Sequence, residues 1–152
     1  MTWVYRKQYG MLATVMTDDV IPEDAVGFVY KMTAVINGEL KSYIGKKNFY
    51  SIRKKKFGKK ALEEMKDKRA IKYSIEKKTN YQNYYSSNEV LKKAKSEGVE
   101  ITREILKVCY SKIELTYQEA KYMFLYNVLE DDHFLNNNIL GKFYKGKIKK
   151  DE

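Results

Sequence analysis

β-Branched and aromatic residues are dense over residues 26–35 and 39–45, and polar Asn37-Gly38 separates the two runs. This pattern predicts two antiparallel strands joined by a two-residue turn, because Asn-Gly accepts the positive backbone angles that such turns require. Residues 51–78 are highly charged, with Ala61, Leu62 and Met65 as sparse apolar points, which predicts one or two surface helices around a basic loop. Ser86 and Glu89 form a capping box before LKKAKSEG, a short helix that Gly98 stops. ITREILKVC mixes β-branched and polar residues and predicts a strand over 100–109. Ile113, Tyr117, Ala120, Phe124 and Val128 recur at spacings of three and four, so residues 112–129 form a helix that packs on the sheet through that stripe. Ser111 with Glu114 makes its capping box, which leaves Glu119 inside the helix beside the stripe. The fold class is therefore α+β, a small mixed and mainly antiparallel sheet opened by a β-hairpin and flanked by helices.

The hairpin has a further consequence. With Asn37-Gly38 as the turn, Tyr30 lies opposite Gly45 and Met32 opposite Tyr43, so the two tyrosines share a face as diagonal neighbours. Glycine opposite Tyr30 predicts a small open niche there. Simple packing of Tyr30 against Tyr43 is the competing expectation in a chain with 14 tyrosines.

At 152 residues the chain suits one domain able to bury a core without disulfides or a structural metal. The lone Cys109 excludes a disulfide framework and a cysteine-based zinc site, and suits a reducing compartment. No apolar run approaches a membrane span and the N-terminus lacks the apolar segment of a secretion signal, so a cytoplasmic location is expected. The net charge of +10 favours phosphate-rich partners through counterion release and long-range steering, with a lysine-rich surface kept for solubility as the competing reading. Basic residues crowd into RKKKFGKK, which contains Arg53, Lys54, Lys55, Lys56, Lys59 and Lys60, and into KFYKGKIKK, with Lys145 and Lys147. Lys46 and Lys47 follow the second tyrosine. Interleaved aromatics suit phosphate tracking combined with base stacking, and a merely solvated basic tail is the competing expectation. Residues 1–141 are expected as the domain and 142–152 as a basic C-terminal tail.

Gly27-Phe28-Val29-Tyr30 and Tyr43-Ile44-Gly45 resemble the paired signature of the GIY-YIG nuclease family, with one residue inserted in the first motif and Val29 in place of isoleucine. The resemblance spans roughly residues 26–140, and YIGKKNFYS, YQNYYSSNEVL and LTYQEAKYMFLYNVL look like small phage-encoded members. It implies an arginine on a first helix, met by Arg53 ten residues after Tyr43, and a glutamate on a later helix, met by Glu119. It implies an asparagine beyond that helix, for which Asn136 is chosen and Asn137 or Asn138 are alternatives. Phe57 stands four after Arg53, where some members carry histidine; His133 reads as an ordinary surface histidine.

What the resemblance implies is a Mg²⁺-dependent (or Mn²⁺-dependent) endonuclease that hydrolyses DNA by tyrosine-assisted attack of water, with RNA a further possible substrate. Tyr30 would be the general base and Tyr43 would position water or phosphate. Arg53 would clamp phosphate oxygens with its planar fork, Glu119 would hold the metal and Asn136 would organise the site's edge. The alternatives are a nucleic-acid-binding module of the same fold without catalysis, and an interaction protein whose basic surface meets an acidic protein.

Overall fold

The structure is a computed structural model that describes residues 3–5, 14–15, 17, 20–56, 58–64 and 72–148, with the side chains of 14–15, 52–56, 61–62 and 72–77 outside that description. In chain order the strands are β1 (Val4–Tyr5), β2 (Thr14–Val15), β3 (Gly27–Ile36), β4 (Glu39–Asn48), β5 (Tyr50–Lys56), β6 (Lys72–Lys78), β7 (Thr102–Cys109), β8 (Asn138–Ile139) and β9 (Phe143–Tyr144). The helices are α1 (Lys59–Glu64), α2 (Glu89–Ser96) and α3 (Lys112–Leu125).

β3 and β4 form the expected hairpin. Asn37 at φ 52° and Gly38 at φ 80° take the positive angles of the two-residue turn. Tyr30 pairs with Gly45 and Met32 with Tyr43, the register that the turn position dictates. β3 lies between β7 and the edge strand β4 in a five-stranded sheet of order β2-β1-β7-β3-β4, antiparallel throughout except for the parallel β1–β7 pair. Because β3 is covered on both faces, its even residues Phe28, Tyr30 and Met32 enter one core with Trp3, Phe49 and Leu91. Val29 enters a second core with Ile44, Leu115, Met123 and Phe134.

The expectation of helices across 51–78 is corrected: β5 and β6 pair antiparallel from Tyr50–Lys78 to Lys56–Lys72, and Lys59–Glu64 alone is helical among the described residues of that stretch. Tyr50, Ile52, Tyr73 and Ile75 have β-forming side chains and alternate with polar neighbours, a period of two that suits strands and that the density of charge concealed. Arg53 thus lies on strand β5 opposite Ile75 instead of on a first helix. Met65 and Phe57 lie outside the described residues.

Two helix details also differ from expectation. Asn88, not Ser86, caps α2, its Oδ1 accepting from the amides of Val90 at 3.0 Å and Leu91 at 3.3 Å. Ser86 sits two residues earlier at φ 74°, turned inward and buried, while Gly98 at φ 80° ends the helix region as the sequence indicates. Ser111 caps α3 as expected, accepting from the Glu114 amide at 3.0 Å. The stripe assigned to the sheet is wrong: Ile113 is 85% exposed, Tyr117 63% and Phe124 51%, whereas Leu115 and Met123 are buried. α3 carries apolar residues on two faces, and the sheet selects the one that also bears Glu119. The helix ends at Leu125, and Val128 is buried beyond it.

Residues 142–148, expected as a tail, are docked. β9 pairs with β8, the Lys145 ammonium donates to the carbonyls of Asp131 and Phe134, and Ile148 packs against the second core.

Candidate active site

The β3–β4 register places Tyr30 across from Gly45, and the niche expected there is filled by Tyr30 itself. A β-carbon on Gly45 would stand 2.5 Å from the Tyr30 hydroxyl and 2.6 Å from its Cζ, so glycine is what lets the phenol lie across the neighbouring strand. The Tyr30 and Tyr43 rings are 6.3 Å apart at 38°. Tyr30 is buried, and its hydroxyl donates to Ser86 Oγ at 3.4 Å and meets the Tyr84 hydroxyl at 3.5 Å. Burial pushes its pKa well above the ordinary phenol value, the adjacent Tyr84 adds to the rise, and the Ser86 hydrogen bond pulls the other way.

Beside this pair, at the β4 edge, lies a cavity of about 350 Å³ lined by Tyr43, Lys46, Thr116, Glu119, Met123 and Asn136, among others. Glu119 reaches it because Leu115 and Met123, one turn to either side, anchor that face of α3 in the core. Among the described residues the half-buried Glu119 carboxylate makes no hydrogen bond or ion pair. Burial raises its pKa, and Lys46 opposes the rise. The Lys46 ammonium donates to Thr116 Oγ1 at 2.9 Å. Burial also raises the Tyr43 phenol, and the charge of Glu119, then Tyr84, reinforces it.

Asn136 is buried and grips the second motif from the side. Its Oδ1 accepts from the Ile44 amide at 3.0 Å, and its Nδ2 donates to the Ile44 carbonyl at 2.8 Å. The segment around it runs along the free edge of β4, since Ser42 and Phe134 form a parallel bridge and the amide of Leu135 bonds the Ser42 carbonyl. Asn137 and Asn138 also line the cavity but are exposed. His133 is committed to Ser42, 2.7 Å from its Oγ.

The basic candidates divide. Lys46, Lys59, Lys60 and Lys147 are exposed, whereas the Lys47 ammonium lies 4.3 Å over the Tyr84 ring and Lys145 is held by backbone carbonyls. The side chains of Arg53, Lys54, Lys55 and Lys56 lie outside the described residues. No group of three or more His, Cys, Asp or Glu side chains occurs among the described residues. One uncommitted carboxylate in a polar cavity open to solvent nevertheless suits Mg²⁺, which keeps several waters and fills its shell with substrate phosphate rather than with a protein cage.

The family model described as "Putative endonuclease segE, GIY-YIG domain" matches residues 5–139. This chain belongs to the GIY-YIG family. No curated protein and no solved structure matches it. Membership supports an endonuclease acting on nucleic acid, and no helix among the described residues is long and apolar enough to cross a membrane. The two halves of the GIY-YIG signature stand side by side on β3 and β4, with Glu119 and Asn136 brought to the same edge by α3 and the segment after it. Sequence reasoning gave Tyr84 no role and read Ser86 only as a helix cap, whereas both meet the Tyr30 hydroxyl; the signal for Tyr84 was the polar, aromatic run YQNYYSSN.

Proposed function

We propose that this chain is a Mg²⁺-dependent endonuclease that hydrolyses DNA phosphodiester bonds by tyrosine-assisted attack of water. The observation that carries the reading is Glu119, a half-buried carboxylate without a partner among the described residues, facing a cavity shared with Tyr43 and Asn136 and one ring away from Tyr30. Glu119 would hold the ion, which supplies Lewis-acid stabilisation of the phosphate and the leaving oxygen. Tyr43 positions water or phosphate through its hydroxyl, and Asn136 keeps the Tyr43-Ile44-Gly45 strand in place. Burial favours the neutral Tyr30 phenol, so its work as a proton acceptor requires positive charge beside it. Lys47, whose ammonium lies over the neighbouring Tyr84 ring, is one such charge, and Arg53, whose side chain lies outside the described residues, would add a fork matched to phosphate oxygens. The exposed Lys59, Lys60 and Lys147 extend the attraction to the nucleic-acid backbone. A cytoplasmic setting, in which the buried Cys109 stays a thiol, goes with this reading.

Supercoiled plasmid incubated with the protein and Mg²⁺ should convert to nicked or linear DNA, with no conversion in EDTA or with Glu119→Ala. A parallel structured RNA reports whether ribose is accepted. Plasmid that is shifted in a gel yet uncut across Mg²⁺ and Mn²⁺ would replace the endonuclease with a binding module of the same fold.

A further inference from the structure

Arg103 lies on β7 opposite Met32, is 2% exposed, and belongs to no part of the site described above. A buried guanidinium is costly, and hydrogen bonds from its donors and stacking on its plane offset that cost. Here the planar group is stacked, its Cζ 4.8 Å from the Trp3 ring centroid and 4.1 Å from that of Tyr85. One terminal nitrogen donates to two backbone carbonyls, Gln82 at 2.9 Å and Tyr84 at 3.0 Å. These carbonyls belong to the segment that delivers the Tyr84 hydroxyl and Ser86 Oγ to Tyr30. Ser86 stays at φ 74°, an unfavourable angle for serine that persists only when its surroundings impose it. Its Oγ accepts from both the Asn88 amide and Tyr30.

We infer that Arg103 is a positioning residue for Tyr30: held over the Trp3 and Tyr85 rings, its guanidinium clamps the carbonyls of Gln82 and Tyr84 and so sets the Tyr84 and Ser86 hydroxyls that orient the Tyr30 phenol. A methionine or leucine would fill the same volume without tying those two carbonyls to the sheet. Lysine would keep the charge but lose both the fork and the stacked plane. Arg103 therefore acts on the reaction through Tyr84, Ser86 and Tyr30, and the effect on rate rests on the endonuclease reading proposed above.

The test uses the full chain with Arg103→Lys, Tyr84→Phe, Ser86→Ala and the double variant Arg103→Lys/Tyr84→Phe. Single-turnover cleavage, its pH profile, DNA affinity and urea stability are measured for each. ¹³Cζ-tyrosine NMR, with Tyr30 assigned by its loss in Tyr30→Phe, reports the phenol's environment without reference to activity. Arg103→Lys is expected to slow cleavage about 10–100-fold with affinity changed less than about 3-fold, a loss of the size found when orientation of a reacting group is degraded. The Tyr30 resonance and the pH profile should move with the rate, and the double variant should be no more than about 3-fold slower than Arg103→Lys, because both changes break one chain of contacts. Tyr84→Phe and Ser86→Ala alter hydroxyls while leaving the clamp packed, so they should move the same resonance even if Arg103→Lys folds poorly. The inference is overturned if the Tyr30 resonance is unmoved in folded Arg103→Lys, or unmoved in both Tyr84→Phe and Ser86→Ala, or if the losses multiply. Rate losses that only follow the unfolded fraction overturn it as well. A wild-type protein that cuts nothing sinks the endonuclease reading, and the NMR comparison then decides the clamp alone.

Discussion

Tyr30 and Gly45 face each other across β3 and β4 so closely that the phenol of one occupies the space a side chain on the other would need. A β-carbon at position 45 would lie 2.5 Å from the Tyr30 hydroxyl. Gly45→Ala should therefore swing the ring out of its place, costing about 1–3 kcal/mol of stability as an overpacked core does. Cleavage should fall by about 10²-fold or more while DNA binding persists, because the displaced group is the one being oriented. Urea unfolding and plasmid nicking measure the two effects separately.

Glu119 makes the pH dependence predictable. Its pKa is raised above the ordinary 4.5 by burial, so metal binding through the ionised carboxylate is lost at a higher pH than for an exposed glutamate. The acid limb of the cleavage rate should lie above 4.5, and Lys46→Met should move it further up, because Lys46 is the group that opposes the rise. The sign for stability is the reverse. A carboxyl whose folded pKa is raised stabilises the fold most below its unfolded value and loses that contribution as pH rises through the folded value. At pH 8, Glu119→Gln should melt about 1–3 °C above wild type, a gap that closes in acid. A calorimetric series across pH checks this, and a variant that melts lower at pH 8 would contradict it.

Asn136 holds the Ile44 amide and carbonyl at once. Asn136→Ala leaves both groups buried without a partner and should cost about 1–3 kcal/mol. Asn136→Asp keeps the acceptor for the amide but turns an oxygen toward the Ile44 carbonyl, now 2.8 Å from Nδ2. It should be the less stable of the two above neutral pH and recover in acid, as the carboxyl gains a proton to donate. Thermal melts at pH 4 and pH 8 distinguish the pair.

The orientation of α3 is equally open to test. Leu115→Ala removes a buried side chain and should cost about 2–4 kcal/mol, whereas Ile113→Ala, on a residue 85% exposed, should stay within about 0.5 kcal/mol of wild type. Equal losses at both positions would mean that the outer stripe is covered in solution.

Much of the site could be read without coordinates, and the reasons are local. Asn37-Gly38 marks a turn by its own backbone preference, and once the turn is placed, pairing Tyr30 with Gly45 follows by counting along a structure of period two. Ser111 and Gly98 mark helix ends for similarly local reasons. Glu119 was legible as a helix residue but not for the reason it reaches the cavity. Its face of α3 was taken as flanking the buried stripe, yet Ile113, Tyr117 and Phe124 of that stripe turned out to face solvent while Ala120 and Val128 meet the core. Periodicity finds an apolar stripe; it does not say which stripe a sheet will choose when a helix has two.

The chain by itself therefore determined what neighbours in sequence determine: the hairpin and its register, the N-cap of α3, and the signature that places the protein among GIY-YIG nucleases. Tertiary structure decided the rest. It paired the charged stretches around 50–56 and 72–78 as strands, because the hydrogen-bond partner of an extended segment is supplied by another segment. It buried Arg103, because only the assembled fold brings the rings of Trp3 and Tyr85 to its guanidinium and offers it the carbonyls of Gln82 and Tyr84. It also filled the space beside Gly45 with the ring of Tyr30. Register shows which residues face one another; the volume they leave is decided by everything else packed onto that face.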